Sequence, residues 1–98
     1  MAAIRFDWDL AKARINLRKH GVSFDEAETV FYDDHALLLD DPDHSEDEDR
    51  FVLLGLSSRF RVLVVVHTYH ELDEVICIIS ARKATKVEQG GYDARWKP

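Results

Sequence analysis

Between residues 36 and 81 the chain is a series of apolar runs set too close together for anything but neighbouring antiparallel strands. The runs cover residues 36–39, 50–56, 60–68 and 74–81. They are joined by Asp41-Pro42-Asp43-His44, by Ser57-Ser58 and by residues 70–73, all short and polar. A parallel connection needs a crossover of a dozen or more residues, so the spacing predicts an antiparallel meander of four strands. Residues 4–8 offer a further short edge strand.

Helices flank this sheet in the sequence. Asp9 is a good N-cap for a helix to about His20, with Leu10, Ala13 and Leu17 at helical spacing as its apolar side. Lys12, Arg14, Arg18 and Lys19 fill much of the rest, and Gly21 supplies a left-handed stop. Ser23-Phe24-Asp25-Glu26 reads as a capping box opening a second helix to about Tyr32, with Ala27, Val30 and Phe31 inward. A last helix is expected over residues 84–92, weakened by Gly90 and Gly91. The expected fold is α+β: two N-terminal helices packed on a mainly antiparallel four-stranded sheet, followed by a C-terminal helix.

The 98 residues, 46% of them hydrophobic, suit one domain over residues 1–98. The single cysteine, Cys77, excludes an internal disulfide and fits a reducing cytoplasm. No apolar run approaches a membrane span, and the first residues lack the pattern of a signal peptide. The net charge of −6 speaks against a polyanionic partner until it is resolved along the chain. Residues 25–49 hold twelve of the nineteen acids and no Lys or Arg, which leaves the remainder at +6. Gripping phosphate needs local positive potential, and the remainder supplies it.

Several familiar sites fail on their own chemistry. The two helices around Gly21-Val22-Ser23 mimic a helix-turn-helix, but the second carries Asp25, Glu26 and Glu28 and no base. Phosphate repulsion there would go unopposed, so the pair reads as a structural hairpin. Asp41, Asp43 and Ser45 have calcium-loop spacing, yet Glu46 stands where glycine is needed and Val52 where the bidentate glutamate is needed. The five histidines show no ligand pair with a cysteine, so no metal or other cofactor is expected.

What remains is a set of cations with a few titratable partners. They are Lys19 and His20, Arg50, Arg59, Arg61, His67, Arg82, Lys83 and Lys86, followed by Glu88 and Tyr92. These residue types suit metal-independent RNA cleavage, in which a 2′-hydroxyl attacks its neighbouring phosphate. One proton must be taken, another given, and a phosphorane held. His or Glu moves protons, the planar Arg fork matches phosphate, and aromatic rings stack bases.

Phe6-x-Trp8-Asp9-x-x-Lys12 and Asn16-x-x-Lys19-His20-Gly21-Val22-Ser23-Phe24-x-x-Ala27 resemble the opening of the BrnT toxin family. Asp43-His44-Ser45-x-x-x-x-Arg50, Gly55-x-Ser57, Ile79-Ser80-Ala81-Arg82-Lys83-Ala84 and Glu88-x-x-x-Tyr92 continue the resemblance in order. It implies a RelE-like fold and a bacterial type II toxin with ribonuclease activity. It also implies a BrnA-like antitoxin with a ribbon-helix-helix domain, DNA being bound only through the complex, which represses its own operon. Homodimer and heterotetramer are both compatible with it. One departure concerns Cys77, which stands where the family often has a basic residue.

Each candidate also has a plainer role. Lys19 and His20 cap a helix end. His44 and Ser45 bond within a turn. Arg50 pairs with Glu46 or Glu48 at the surface. Glu88 and Tyr92 share an ordinary helix face. Strand alternation puts Arg61 and His67 on one face and Val62, Val64 and Val66 on the other, whereas the register that relates Arg50 to Arg61 is undetermined. Weighed with the resemblance, Arg82, Arg50 and Lys83 hold phosphate, and His67 or His20 moves protons with Glu88 as an alternative base. Lys19, Arg61 and Tyr92 complete the RNA contact. The rival readings are a non-catalytic module holding RNA or a partner protein on the same surface and, more weakly, a DNA-binding regulator.

Overall fold

The computed structural model describes residues 4–40 and 50–96. Its elements run β1 (Arg5–Asp7), α1 (Leu10–His20), α2 (Phe24–Thr29) continued by a 3₁₀ turn (Val30–Tyr32), β2 (Leu37–Asp40), β3 (Arg50–Leu56), β4 (Val62–His70), β5 (Val75–Lys83), α3 (Lys86–Asp93) and a closing 3₁₀ turn (Ala94–Trp96). The meander holds, with β2, β3, β4 and β5 antiparallel in sequence. The sheet has five strands and is mixed, because β1 joins its far edge parallel to β5 in the order β1-β5-β4-β3-β2. Among the described residues no helix is long and apolar enough to cross a membrane.

The helix signals act as their chemistry requires. The Asp9 carboxylate accepts from the Ala11 and Lys12 amides, and Gly21 ends α1 at φ +69°. Ser23 Oγ accepts from the Glu26 amide, but the Glu26 side chain turns away from the cap to a different partner, so only half of the expected box forms. A full capping box opens α3 instead, between Thr85 and Glu88.

The apolar stripe expected on α1 is a correction. Leu10 and Leu17 are exposed, Ala13 is partly buried against the larger core, and the buried residue of the helix is Asn16. Its amide donates to Val22 O (2.9 Å) and Ala81 O (2.8 Å) and accepts from Ala81 N (3.1 Å). Hydrogen bonding therefore fixes α1 against β5 where leucine packing was expected.

Two cores lie on opposite faces of the sheet. The larger packs Val22, Phe24, Ala27 and Val30 against Leu53, Leu63, Val65, Ile76, Ile78 and Ala81. The smaller packs Leu54, Val62, Val64 and Tyr92 together under α3. Gly55 marks the closest approach to the turn after α2, for a Cβ there would lie 2.8 Å from Val30 Cγ1. Between Val66 and His67 the register with β5 slips, leaving Ile79 as an extra residue in β5.

Candidate functional site

Pairing sorts the candidate residues between faces, since residues opposite one another share a side. Arg82 pairs with Val64, and Val64 with Leu54, so Arg82 lies on the α3 face. Arg50 pairs with Thr68 and Thr68 with Cys77, two pleats further along the same face. Two strands and four residues separate Arg50 from Arg82, roughly 16 Å between Cα atoms. The register thus puts Arg50 with Arg82, on the opposite side from Arg61.

The Arg82 guanidinium meets the Glu88 carboxylate fork to fork, Nη1 donating to Oε1 at 2.8 Å and Nη2 to Oε2 at 2.9 Å. Nη1 also donates to Lys83 O at 3.3 Å. Glu88 is held by its helix as well, accepting from the Thr85 amide. The hydrogen bonds from Arg82 push the Glu88 carboxyl down to about 2, and the same pairing raises Arg82. A carboxylate held so acidic stays ionised and is a weak base. Its evident role here is to hold the fork in a fixed orientation while leaving the arginine partly open to solvent.

Arg61 and His67 do share a face, as alternation predicts, but it is the one covered by the helices. Arg61 binds the buried Glu26 carboxylate through Nε (2.9 Å) and Nη2, and Nη2 also donates to Gly21 O. Those hydrogen bonds outweigh burial and lower the Glu26 carboxyl, which also accepts from Ser57 Oγ at 2.7 Å. His67 is 4% exposed, edge-on to Phe31 at 4.8 Å and tilted against Phe51. Burial lowers its ring pKa and favours the neutral form. Tyr92 is likewise inside, its hydroxyl donating to Asp33 Oδ2 at 2.6 Å. His67 and Tyr92 are therefore held inside the scaffold, and Arg61 is engaged with Glu26 while its side chain stays 26% exposed.

Lys19 and His20 end α1 beside β5. With Lys12, Ile15, Asn16, Ile79 and Ser80 they line a recess of about 200 Å³. The Asn16 bonds to Ala81 bring this end of α1 to the part of β5 that bears Arg82 and Lys83. The β3–β4 hairpin closes at the same end, since Ala84 N donates to Val62 O and Arg61 reaches Gly21. Lys19, His20, Arg82 and Lys83 are thus gathered at one end of the sheet, while Arg50 stands at the other.

The sequence reading missed Asn16 and Glu26, which hold this end together. Asn16 heads the Asn16-x-x-Lys19-His20 motif and Glu26 ends a cap motif, but neither signal names the partner across the fold. Among the described residues no three of His, Cys, Asp and Glu come together to hold a metal ion. The calcium-like spacing, the His44-Ser45 turn and the acids considered as partners of Arg50 lie outside the described residues.

The model of a protein family described as the ribonuclease toxin, BrnT, of type II toxin-antitoxin systems matches residues 8–88. The chain belongs to the BrnT family. It is thereby a ribonuclease toxin of a type II system, and a toxin of that kind has an antitoxin partner and an RNA target. The crystal structure of the Brucella abortus ribonuclease toxin BrnT is similar in fold, with a TM-score of 0.67 over 86% of this chain and 100% of that one. At 21% identity that likeness speaks to architecture alone. No curated protein matches the sequence.

Proposed function

We propose that this family member is a metal-independent endoribonuclease whose site lies at the hairpin end of the sheet. The observation that carries the reading is the Asn16 clamp, which joins the Lys19-His20 end of α1 to the Arg82-Lys83 end of β5. Arg82, oriented by Glu88, holds the scissile phosphate, while Lys19 and Lys83, which pairs with Leu63 on the other face, meet the RNA around the same end of the sheet. Arg50, on the same face at the far end, takes a phosphate further along the strand. The 2′-hydroxyl attacks phosphorus as its proton passes to a base, and the P–O5′ bond breaks as the leaving oxygen gains a proton. The products are a 2′,3′-cyclic phosphate and a 5′-hydroxyl. His20 is the group assigned to proton transfer, because His67 is enclosed and Glu88 is held ionised by Arg82. The reading extends to a RelE-like mode of action in the cytoplasm and to a BrnA-like ribbon-helix-helix antitoxin that alone carries the complex to DNA.

The test incubates pure, antitoxin-free toxin with a synthetic RNA in EDTA and identifies the new ends. Cleavage leaving cyclic phosphate, reduced at least a hundredfold in Arg82→Ala, is expected. Intact RNA, or undiminished cleavage by the variant, would overturn the assignment. Growth arrest on expression, relieved by the gene encoded beside it, tests the toxin pair separately.

A second reading has its own support. Cys77 shares the face of Arg50 and Thr68, so the cation that relatives often carry there is missing from the surface assigned to RNA. A module that binds RNA without cutting it fits that loss. Saturable, salt-sensitive binding with no cleavage would select it.

A further inference from the structure

Phe60 is 85% exposed and sits at φ +62° in the β3–β4 hairpin. A left-handed backbone is a genuine outlier for a bulky aromatic residue and persists only where its surroundings impose it. Here they do so from both flanks. On one side Ser57 Oγ donates to the buried Glu26 carboxylate, and the Ser58 amide donates to Thr29 Oγ1. On the other, Arg61 binds the same carboxylate. The Ser57 amide bonds to Arg61 O and the Phe60 amide to Ser57 O, closing the turn. The buried Glu26 network thus pins both feet of the loop, and the ring between them is held out in water. Hydrophobic burial would draw it inward, and nothing packs on it from the smaller core.

The surroundings indicate the ligand. Arg59 precedes Phe60. Arg61 touches Gly21, next to Lys19 and His20, and Lys83 pairs with Leu63 at the base of the hairpin. Of the acids that approach this end through described bonds, Glu26 and Glu88 are neutralised by Arg61 and Arg82, and Asp33 is engaged by the Leu56 amide and the Tyr92 hydroxyl. A solvent-facing aromatic ring near Arg59, Lys19 and Lys83, which form no ion pair among the described residues, is the combination that takes a nucleobase on its face while its phosphates meet the cations. We infer that Phe60 is a stacking platform for an unpaired base of the RNA, fixing which nucleotide enters beside Arg82. The inference rests on the ribonuclease reading and adds to it a subsite that selects single-stranded RNA.

The strain makes the test specific. Asn tolerates the left-handed region far better than Phe, so Phe60→Asn should melt about 5 °C higher while losing the platform. Binding is read by fluorescence anisotropy with a labelled, uncleavable 2′-O-methyl single-stranded RNA across a salt series. Phe60→Asn and Phe60→Ala are expected to bind about tenfold more weakly with the salt slope unchanged, because a ring releases no counterions. Phe60→Trp should bind at least as tightly as the unaltered chain. The subsite is overturned if Asn and Ala variants bind RNA as tightly as the unaltered chain, or if they lose only the cognate antitoxin. It is overturned equally if Phe60→Trp binds as weakly as Phe60→Ala. No binding by the unaltered chain itself would instead defeat the ribonuclease reading, and this subsite with it.

Discussion

Replacing Asn16 by leucine, nearly its equal in size, isolates what its hydrogen bonds contribute. The side chain is 6% exposed and serves three backbone groups: the carbonyls of Val22 and Ala81 and the Ala81 amide. Val22 and Ala81 are themselves fully buried, so water does not replace the lost partner. At about 1 kcal/mol or more for each buried backbone group left unsatisfied, the loss is about 3 kcal/mol. That is a large share of the 5–15 kcal/mol that typically separates folded from unfolded domains. For a chain of this size it corresponds to a fall in melting temperature of roughly 15 °C, measured by calorimetry or circular dichroism. Asn16→Asp sharpens the comparison. It keeps the acceptor for Ala81 N but turns a carboxylate oxygen on two carbonyls, and it should cost at least as much. A leucine variant within 2 °C of the parent would refute the reasoning and return α1 to ordinary apolar packing.

Three further outcomes follow. Because Arg61 lowers the folded-state pKa of Glu26 and Arg82 brings Glu88 to about 2, both contribute stability that is complete above their unfolded value of 4.5 and lost as pH falls. Urea midpoints should therefore drop below pH 4.5, and drop less steeply in Glu26→Gln/Arg61→Met, where a buried pair has been replaced. In the pH profile of RNA cleavage, Glu88→Gln should lower the rate by about tenfold through a misdirected Arg82 yet leave every inflection above pH 4 in place. An inflection lost with Glu88 would make it the base. His67 has its pKa lowered by burial, so its contribution to stability is present at neutral pH and falls as pH drops below 6.5. Its ring should titrate below 6.5 by NMR, and His67→Phe should leave RNA cleavage within twofold of the parent.

Local chemistry was the part of the fold that the sequence expressed well. Asp9, Gly21 and Ser23 act at helix ends through bonds to residues a few positions away, so their types and spacing are enough to identify them. The strand runs likewise emerge close to their read positions. Interactions across the fold were not legible. Asn16 reaches a residue 65 positions distant, and Glu26 one that is 35 away. Leu10 and Leu17 matched a helical period without being buried, because a hydrogen-bonding residue had taken the inward position. The candidate site shows the same division. Arg82 and Glu88 are six residues apart, and their pairing lay within reach of motif reading. Placing Arg61, His67 and Tyr92 required hairpin register and burial, which no single segment encodes. Phe60 was hidden inside an expected strand, since a backbone held at positive φ leaves no mark in residue type.

The pairing of β1 with β5 bears on how the toxin is made. Among the described strands the first lies parallel to the last, and the Asn16 clamp likewise waits for Ala81. Until β5 emerges from the ribosome, the N-terminal segment has no strand to pair with and α1 has nothing to hold its end in place. A nascent or truncated chain that stops short of Ala81 thus cannot bring Lys19 and His20 to Arg82. The proposed site is completed only once Ala81 and the residues after it are available to α1, so a nascent chain shorter than that carries no assembled site.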